Sequence, residues 1–103
     1  MIPTITAEEL KEKLHSNEVM LIDVREPAEY RAECIAEACL IPLGEISCEK
    51  IPATTLPLVL HCRGGKRSEE ACKRLLAEDP TLEVYSLEGG IIAWKNSGFE
   101  VKC

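Results

Sequence analysis

The sequence has no apolar run near the roughly 20 residues that cross a bilayer, and its opening, "MIPTITAEEL", has no basic start followed by an apolar stretch. Neither a membrane span nor a secretory leader is expected, and the expected location is the cytoplasm. Histidine is scarce, with only His15 and His61, and none of the six cysteines stands in a Cys-x-x-Cys pair. Both shortages argue against a zinc site. Without a secretion signal, Cys34, Cys39, Cys48, Cys62, Cys72 and Cys103 read as reduced thiols rather than a disulfide framework. Positive charge is also short: 12 Lys and Arg against 18 Asp and Glu leave a net charge of −6, which argues against general nucleic-acid binding. Repeats, low-complexity tracts and linkers are missing, and 103 residues suffice for one domain, residues 1–103, around one core.

What is present alternates between strand-like and helix-like segments. Thr6 and Glu9 have capping-box spacing, with Ile5 and Leu10 placed as a hydrophobic staple, so a helix starts there. The run Val19–Val24, broken only by Asp23, suits a strand buried on both faces of a parallel sheet. A short helix follows with Pro27 at its first position. Residues 38–41 and 57–62 read as further strands, and 43–51 as a helical turn or two. Ser68–Ala77 reads as a helix with Ala71, Cys72, Leu75 and Leu76 on one side. Residues 82–87 form the last strand, followed by a turn at Gly89-Gly90 and a short helix ending near Gly98. This order predicts an α/β sandwich with a mainly parallel sheet flanked by helices, whose ligands bind beyond the carboxyl ends of the strands.

Cys62 falls at such an end, in "VLHCRGGKRSEEACKRL". Residues 62–74 carry Arg63, Lys66, Arg67, Lys73 and Arg74 against Glu69 and Glu70, a positive patch on an acidic protein that suits a small anion. A tight loop containing Gly64 and Gly65 can turn backbone N–H groups inward, and the helix behind adds its free amides and dipole. A thiol at the centre has its pKa lowered and becomes a nucleophile near neutral pH. A buried, inert cysteine explains neither the glycines nor the cations.

Four segments, in order, carry a resemblance to single-domain rhodaneses: "IDVREPAEY", "IPLGEI", "HCRGGKRS" and "EGGIIAWKNSGFEV". The loop fits the family pattern Cys-x-x-Gly-x-Arg at Cys62, Gly65 and Arg67, and the last segment fits Gly-Gly-x-x-x-Trp at Gly89, Gly90 and Trp94. The resemblance implies a rhodanese-like three-layer sandwich and a thiosulfate sulfurtransferase-type enzyme. Cys62 would take sulfane sulfur from thiosulfate or a related small anion as a persulfide and pass it to a thiol, cyanide or a protein acceptor. Arg63, Gly64, Gly65, Lys66 and Arg67 would form the anion-binding loop, and no metal or organic cofactor is implied. Two rival readings share these residues: a persulfide carrier or regulatory binding module with little thiosulfate turnover, and a phosphatase or arsenate reductase. The latter use a Cys-x5-Arg loop, whereas the spacing here is Cys-x4-Arg, a tighter cradle suited to one sulfur atom.

Asp23, Arg25 and Glu26 border the same strand ends; Arg25 is the best of the three for an auxiliary anion contact, the others reading as architectural. Strand alternation sends His61 to the face opposite Cys62, as a structural histidine, and Trp94 reads as core. In "ECIAEACLIPL" the chain departs from the family's Gly-His-Ile-Pro-Gly-Ala, placing Cys34 where the family has histidine. A second thiol near Cys62 could resolve a persulfide to a disulfide, provided the Cα atoms come within about 7 Å.

Overall fold

The computed structural model describes residues 2–102; Met1 and Cys103, one of the six expected thiols, lie outside them. Five strands, β1 (Thr4–Ile5), β2 (Met20–Asp23), β3 (Cys39–Leu40), β4 (Leu58–His61) and β5 (Val84–Leu87), form one sheet in the order β1-β5-β4-β2-β3. Every pairing is parallel. Four helices intervene: α1 (Ala7–His15), α2 (Pro27–Ala32), α3 (Lys66–Glu78) and α4 (Gly90–Asn96). The ambiguous segment after Pro42 is two short 3₁₀ turns, Leu43–Glu45 and Cys48–Lys50.

The layers follow from strand alternation. Leu21, Val59 and Leu87 pack with Ala7 and Leu10 of α1 and Ile91 and Trp94 of α4. Ile22, Leu58, Leu60 and Val84 pack on the other face with Ala71, Cys72 and Leu75 of α3. Both faces are therefore covered, as a parallel sheet requires. α1 starts at the predicted capping box: Glu9 N–H donates to Thr6 Oγ1 at 3.1 Å, and Thr6 N–H to Glu9 Oε1 at 2.9 Å. Ile5 and Leu10 are both buried beneath it.

Several boundaries differ from expectation: the strands are shorter than the expected runs 38–41, 57–62 and 82–87, with β3 at Cys39–Leu40, β4 at Leu58–His61 and β5 at Val84–Leu87. Strand β1 is not expected from the sequence. Its two residues are extended because Thr4 and Ile5 pair with Ser86 and Leu87, a contact between chain ends that no local pattern announces. Helix α3 begins at Lys66, not Ser68, because Gly65 takes a left-handed conformation (φ 119°) that turns the chain directly into the helix. Among the described residues no helix is long and apolar enough to cross a membrane.

Candidate active site

Strands β2, β4 and β5 end side by side, and the loop 62–65 leaves β4 there. Cys62 is only 1% exposed and lies on the α3 face. Its Sγ accepts a hydrogen bond from Gly65 N–H at 3.0 Å and lies 3.6 Å from Ser68 Oγ. Burial alone would raise the thiol pKa. The donors around it, the Ser68 amide and hydroxyl and the Gly65 and Arg67 amides, outweigh that cost and leave the pKa below its ordinary value of 9.0. Cys72, ten residues on and buried without such donors, is instead pushed up to about 12. Thiolate character belongs to the loop, not to burial.

The amides face the sulfur because the carbonyls are held elsewhere. Ile91 N–H donates to Cys62 O at 2.9 Å and Ile92 N–H to Arg63 O at 3.3 Å, both from the first turn of α4. That approach depends on Gly90: a Cβ there would sit 2.6 Å from Cys62 O and closer still to Arg63 O. Gly90 also has φ 58°, so two constraints demand glycine at one position.

The expected loop cations divide. Arg63 and Lys66 are exposed and make no ion pair or side-chain hydrogen bond among the described residues. Arg67 is held differently. Its guanidinium is forked onto the Glu29 carboxylate (2.7 and 3.0 Å), so it presents its backbone N–H to Cys62 and its charge to α2. Arg25 is 3% exposed. It donates to both oxygens of Asp23 and, at 2.9 Å, to Glu33 O, while still lining a cleft of about 230 Å³ with Arg63, Ala32 and Ile92. Glu26 only opens α2, through its N–H to Glu29 Oε1.

His61 lies across from Asp23 in the β2–β4 register and on that face, away from Cys62 Sγ. Its Nδ1 sits 3.2 Å from Cys62 O, and its Nε2, 3.5 Å from Asp23 Oδ2, has no hydrogen-bond partner. Burial lowers its pKa against the pull of Asp23, which keeps the ring neutral. Trp94 is core, 1% exposed.

Cys34 is 3% exposed, and both its backbone N–H and its carbonyl bond to Lys102. Cys34 makes no hydrogen bond to Cys62 among the described residues. No group of three or more His, Cys, Asp or Glu among those residues could hold a metal ion. A cavity of about 520 Å³ lies at the opposite end of β4, lined by Leu56, Pro57, Leu58 and Asp79.

Sequence reasoning missed Ser68, Ser86 and Glu29. Ser68 carried a signal: it heads the stripe Ser68, Ala71, Cys72, Leu75 that α3 buries. Ser86 carried one too, as a small hydroxyl residue on the strand face it shares with Val84. Glu29 carried none, because its partner is 38 positions away.

Residues 6–97 match the family described as "Rhodanese-like domain". A sulfurtransferase of Allochromatium vinosum is 36% identical over 104 residues, covering 98% of this chain and 95% of that protein. Several other curated relatives are longer, and the chain spans 53% of one and 22% of others. Among solved structures, a rhodanese-related protein of Thermoplasma volcanium is similar at TM-score 0.83 and 30% identity, over 97% of each chain. A thiosulfate sulfurtransferase of Pseudomonas aeruginosa is similar at TM-score 0.88 and 26% identity, over 98% of this chain and 20% of that one. With so long a family match and a relative similar over nearly its whole length, the cysteine loop has a family setting: the chain belongs to the rhodanese-like family of sulfurtransferases.

Proposed function

We propose that the protein transfers sulfane sulfur from thiosulfate, or a related small sulfur anion, to a thiophilic acceptor through a persulfide on Cys62. The observation that supports this most directly is the amide cradle around one sulfur atom: Gly65 N–H at 3.0 Å from Sγ, with the Cys62 and Arg63 carbonyls bound to α4. Arg63 and Lys66, which form no ion pair among the described residues, supply positive charge at the entrance, which draws a dianionic donor toward a buried thiolate. The thiolate attacks the outer sulfur of the donor. A new S–S bond forms on Cys62, the donor S–S bond breaks, and sulfite leaves with its electron pair. A thiol, cyanide or protein thiolate then attacks the outer sulfur, and Cys62 leaves as thiolate. This is covalent catalysis in two half-reactions. The cradle stabilises the anion on sulfur in each, in the manner of an oxyanion hole. A reducing compartment such as the cytoplasm suits the five described cysteines, all free.

The test is intact mass after incubation with thiosulfate, followed by peptide mapping. One added sulfur on Cys62, removed by cyanide, supports the reading. A sulfur on another cysteine, or full turnover by Cys62→Ala, would sink it. Hydrolysis of a phosphoester by the same preparation would favour a phosphatase, which the Cys-x4-Arg spacing and the Glu29-bound Arg67 both argue against.

A further inference from the structure

Ser86 stands where β5 needs an apolar side chain. Its neighbour on the same face, Val84, packs into the α3 layer, and Ser86 is 3% exposed. Its Oγ lies 2.7 Å from Ser68 Oγ, its one side-chain hydrogen bond among the described residues. Ser68, fully buried, lies 3.6 Å from Cys62 Sγ and 3.0 Å from Gly65 O. A hydroxyl has one proton and two lone pairs. Ser68 therefore cannot donate to Cys62, Gly65 and Ser86 at once, and the choice follows the charge on sulfur. Ser86 also lines a second cleft, of about 250 Å³, with Thr4, Gly65 and Glu88. This cleft shares no residue with the one lined by Arg25, Arg63 and Ile92.

We propose that Ser68 and Ser86 form a two-hydroxyl proton wire from the Cys62 thiol to this second cleft, in which Ser86 is a positioning residue acting through Ser68. The proposal rests on Cys62 being the nucleophile. In the thiol form, S–H donates to Ser68 Oγ, Ser68 to Ser86, and Ser86 to water in the cleft. On ionisation the S–H bond breaks and its electron pair stays on sulfur. That proton joins Ser68 Oγ, the Ser68 proton passes to Ser86 Oγ, and the Ser86 proton passes to water and then to solvent buffer. Both hydroxyls now point toward Sγ, which gains the Ser68 donor. Gly65 O keeps the Glu69 amide at 3.1 Å. The proton leaves on one side of the loop while the cleft beside Arg63 stays free for an anion. Charged neighbours set the background: Arg63 and Lys66 in the loop, Arg67 and Glu69 on α3 and Glu88 after β5. Asp23 of β2 and His61 of β4 face the other layer. All are retained in the test variants.

The test is the rate of Cys62 alkylation by iodoacetamide against pH, resolved by peptide. Ser86→Ala should move the midpoint upward and slow alkylation at neutral pH by about three- to tenfold, the loss of one supporting hydrogen bond. Ser68→Ala should do at least as much, the double variant should match Ser68→Ala, and Ser86→Thr should restore the wild-type profile. Should Ser86→Ala not fold, Ser86→Gly serves instead. Superimposed profiles for wild type and Ser86→Ala would overturn the wire. So would a double variant slower than Ser68→Ala by the full Ser86→Ala factor, since the two hydroxyls would then act independently. The readout counts adducts, not transferred sulfur, so it stands apart from whether thiosulfate is the donor.

Discussion

Arg67 of α3 and Glu29 of α2 are joined by two hydrogen bonds, 2.7 and 3.0 Å long, across 38 positions of sequence. The fork ties the helix behind the loop to the short helix beside it. The Arg67 side chain lowers the Glu29 pKa from an ordinary 4.5 to about 2. A depressed carboxylate contributes stability that is complete above its unfolded value and is lost as pH falls through the folded one. The melting temperature of the wild type should therefore fall more between about pH 4.5 and 2 than that of Glu29→Gln. Both groups are about one-third exposed, so solvent screening limits the contribution to about 1 kcal/mol. Parallel acid profiles would show the pair to be stabilisingly neutral. Arg67→Ala should lose a similar amount and slow sulfur loading of Cys62 less than about threefold, since its charge is held by Glu29; a loss of ten- to hundredfold would give the guanidinium a direct share of the transition state.

Gly90 and Gly64 should respond oppositely to alanine. At Gly90 the new Cβ meets the Cys62 and Arg63 carbonyls at positive φ, and stability should drop by about 2 kcal/mol or more. At Gly64 a Cβ meets nothing within 4 Å, and the change should stay within about 0.5 kcal/mol. Denaturant midpoints measure both, and equal losses would remove the close-approach explanation.

Cys62 should be alkylated much faster than Cys72 near neutral pH. One thiol sits below 9.0 and the other is raised to about 12. Peptide-resolved alkylation of the folded protein gives the ratio. Comparable rates would mean the loop donors do not favour the thiolate.

Cys34→Ser should leave the lifetime of a Cys62 persulfide unchanged. Cys34 is buried and pinned by two backbone bonds to Lys102, and resolution would need the Cα atoms within about 7 Å. A Cys34–Cys62 cross-link in mild oxidation, or a longer-lived persulfide in the variant, would show that this segment moves.

Much of the chemistry was legible in the residues because it is local. The Thr6–Glu9 cap, the start of α2 at Pro27 and the glycine turn after Cys62 each depend on neighbours a few positions apart, and local backbone preferences read out there. Alternation along β4 by itself separates His61 from Cys62. Tertiary structure decided what depends on distant partners. Strand β1 exists only through pairing with β5. Arg67 reads as a substrate cation until Glu29 is folded against it. The inward amides of the loop exist because Gly90 brings the α4 amides onto the Cys62 and Arg63 carbonyls. Ser86 is a strand hydroxyl with no evident partner until packing sets it 2.7 Å from Ser68. The physical reason is common to all four: a hydrogen bond or ion pair between residues far apart in sequence depends on where the packed sheet brings them, and propensity carries no information about that.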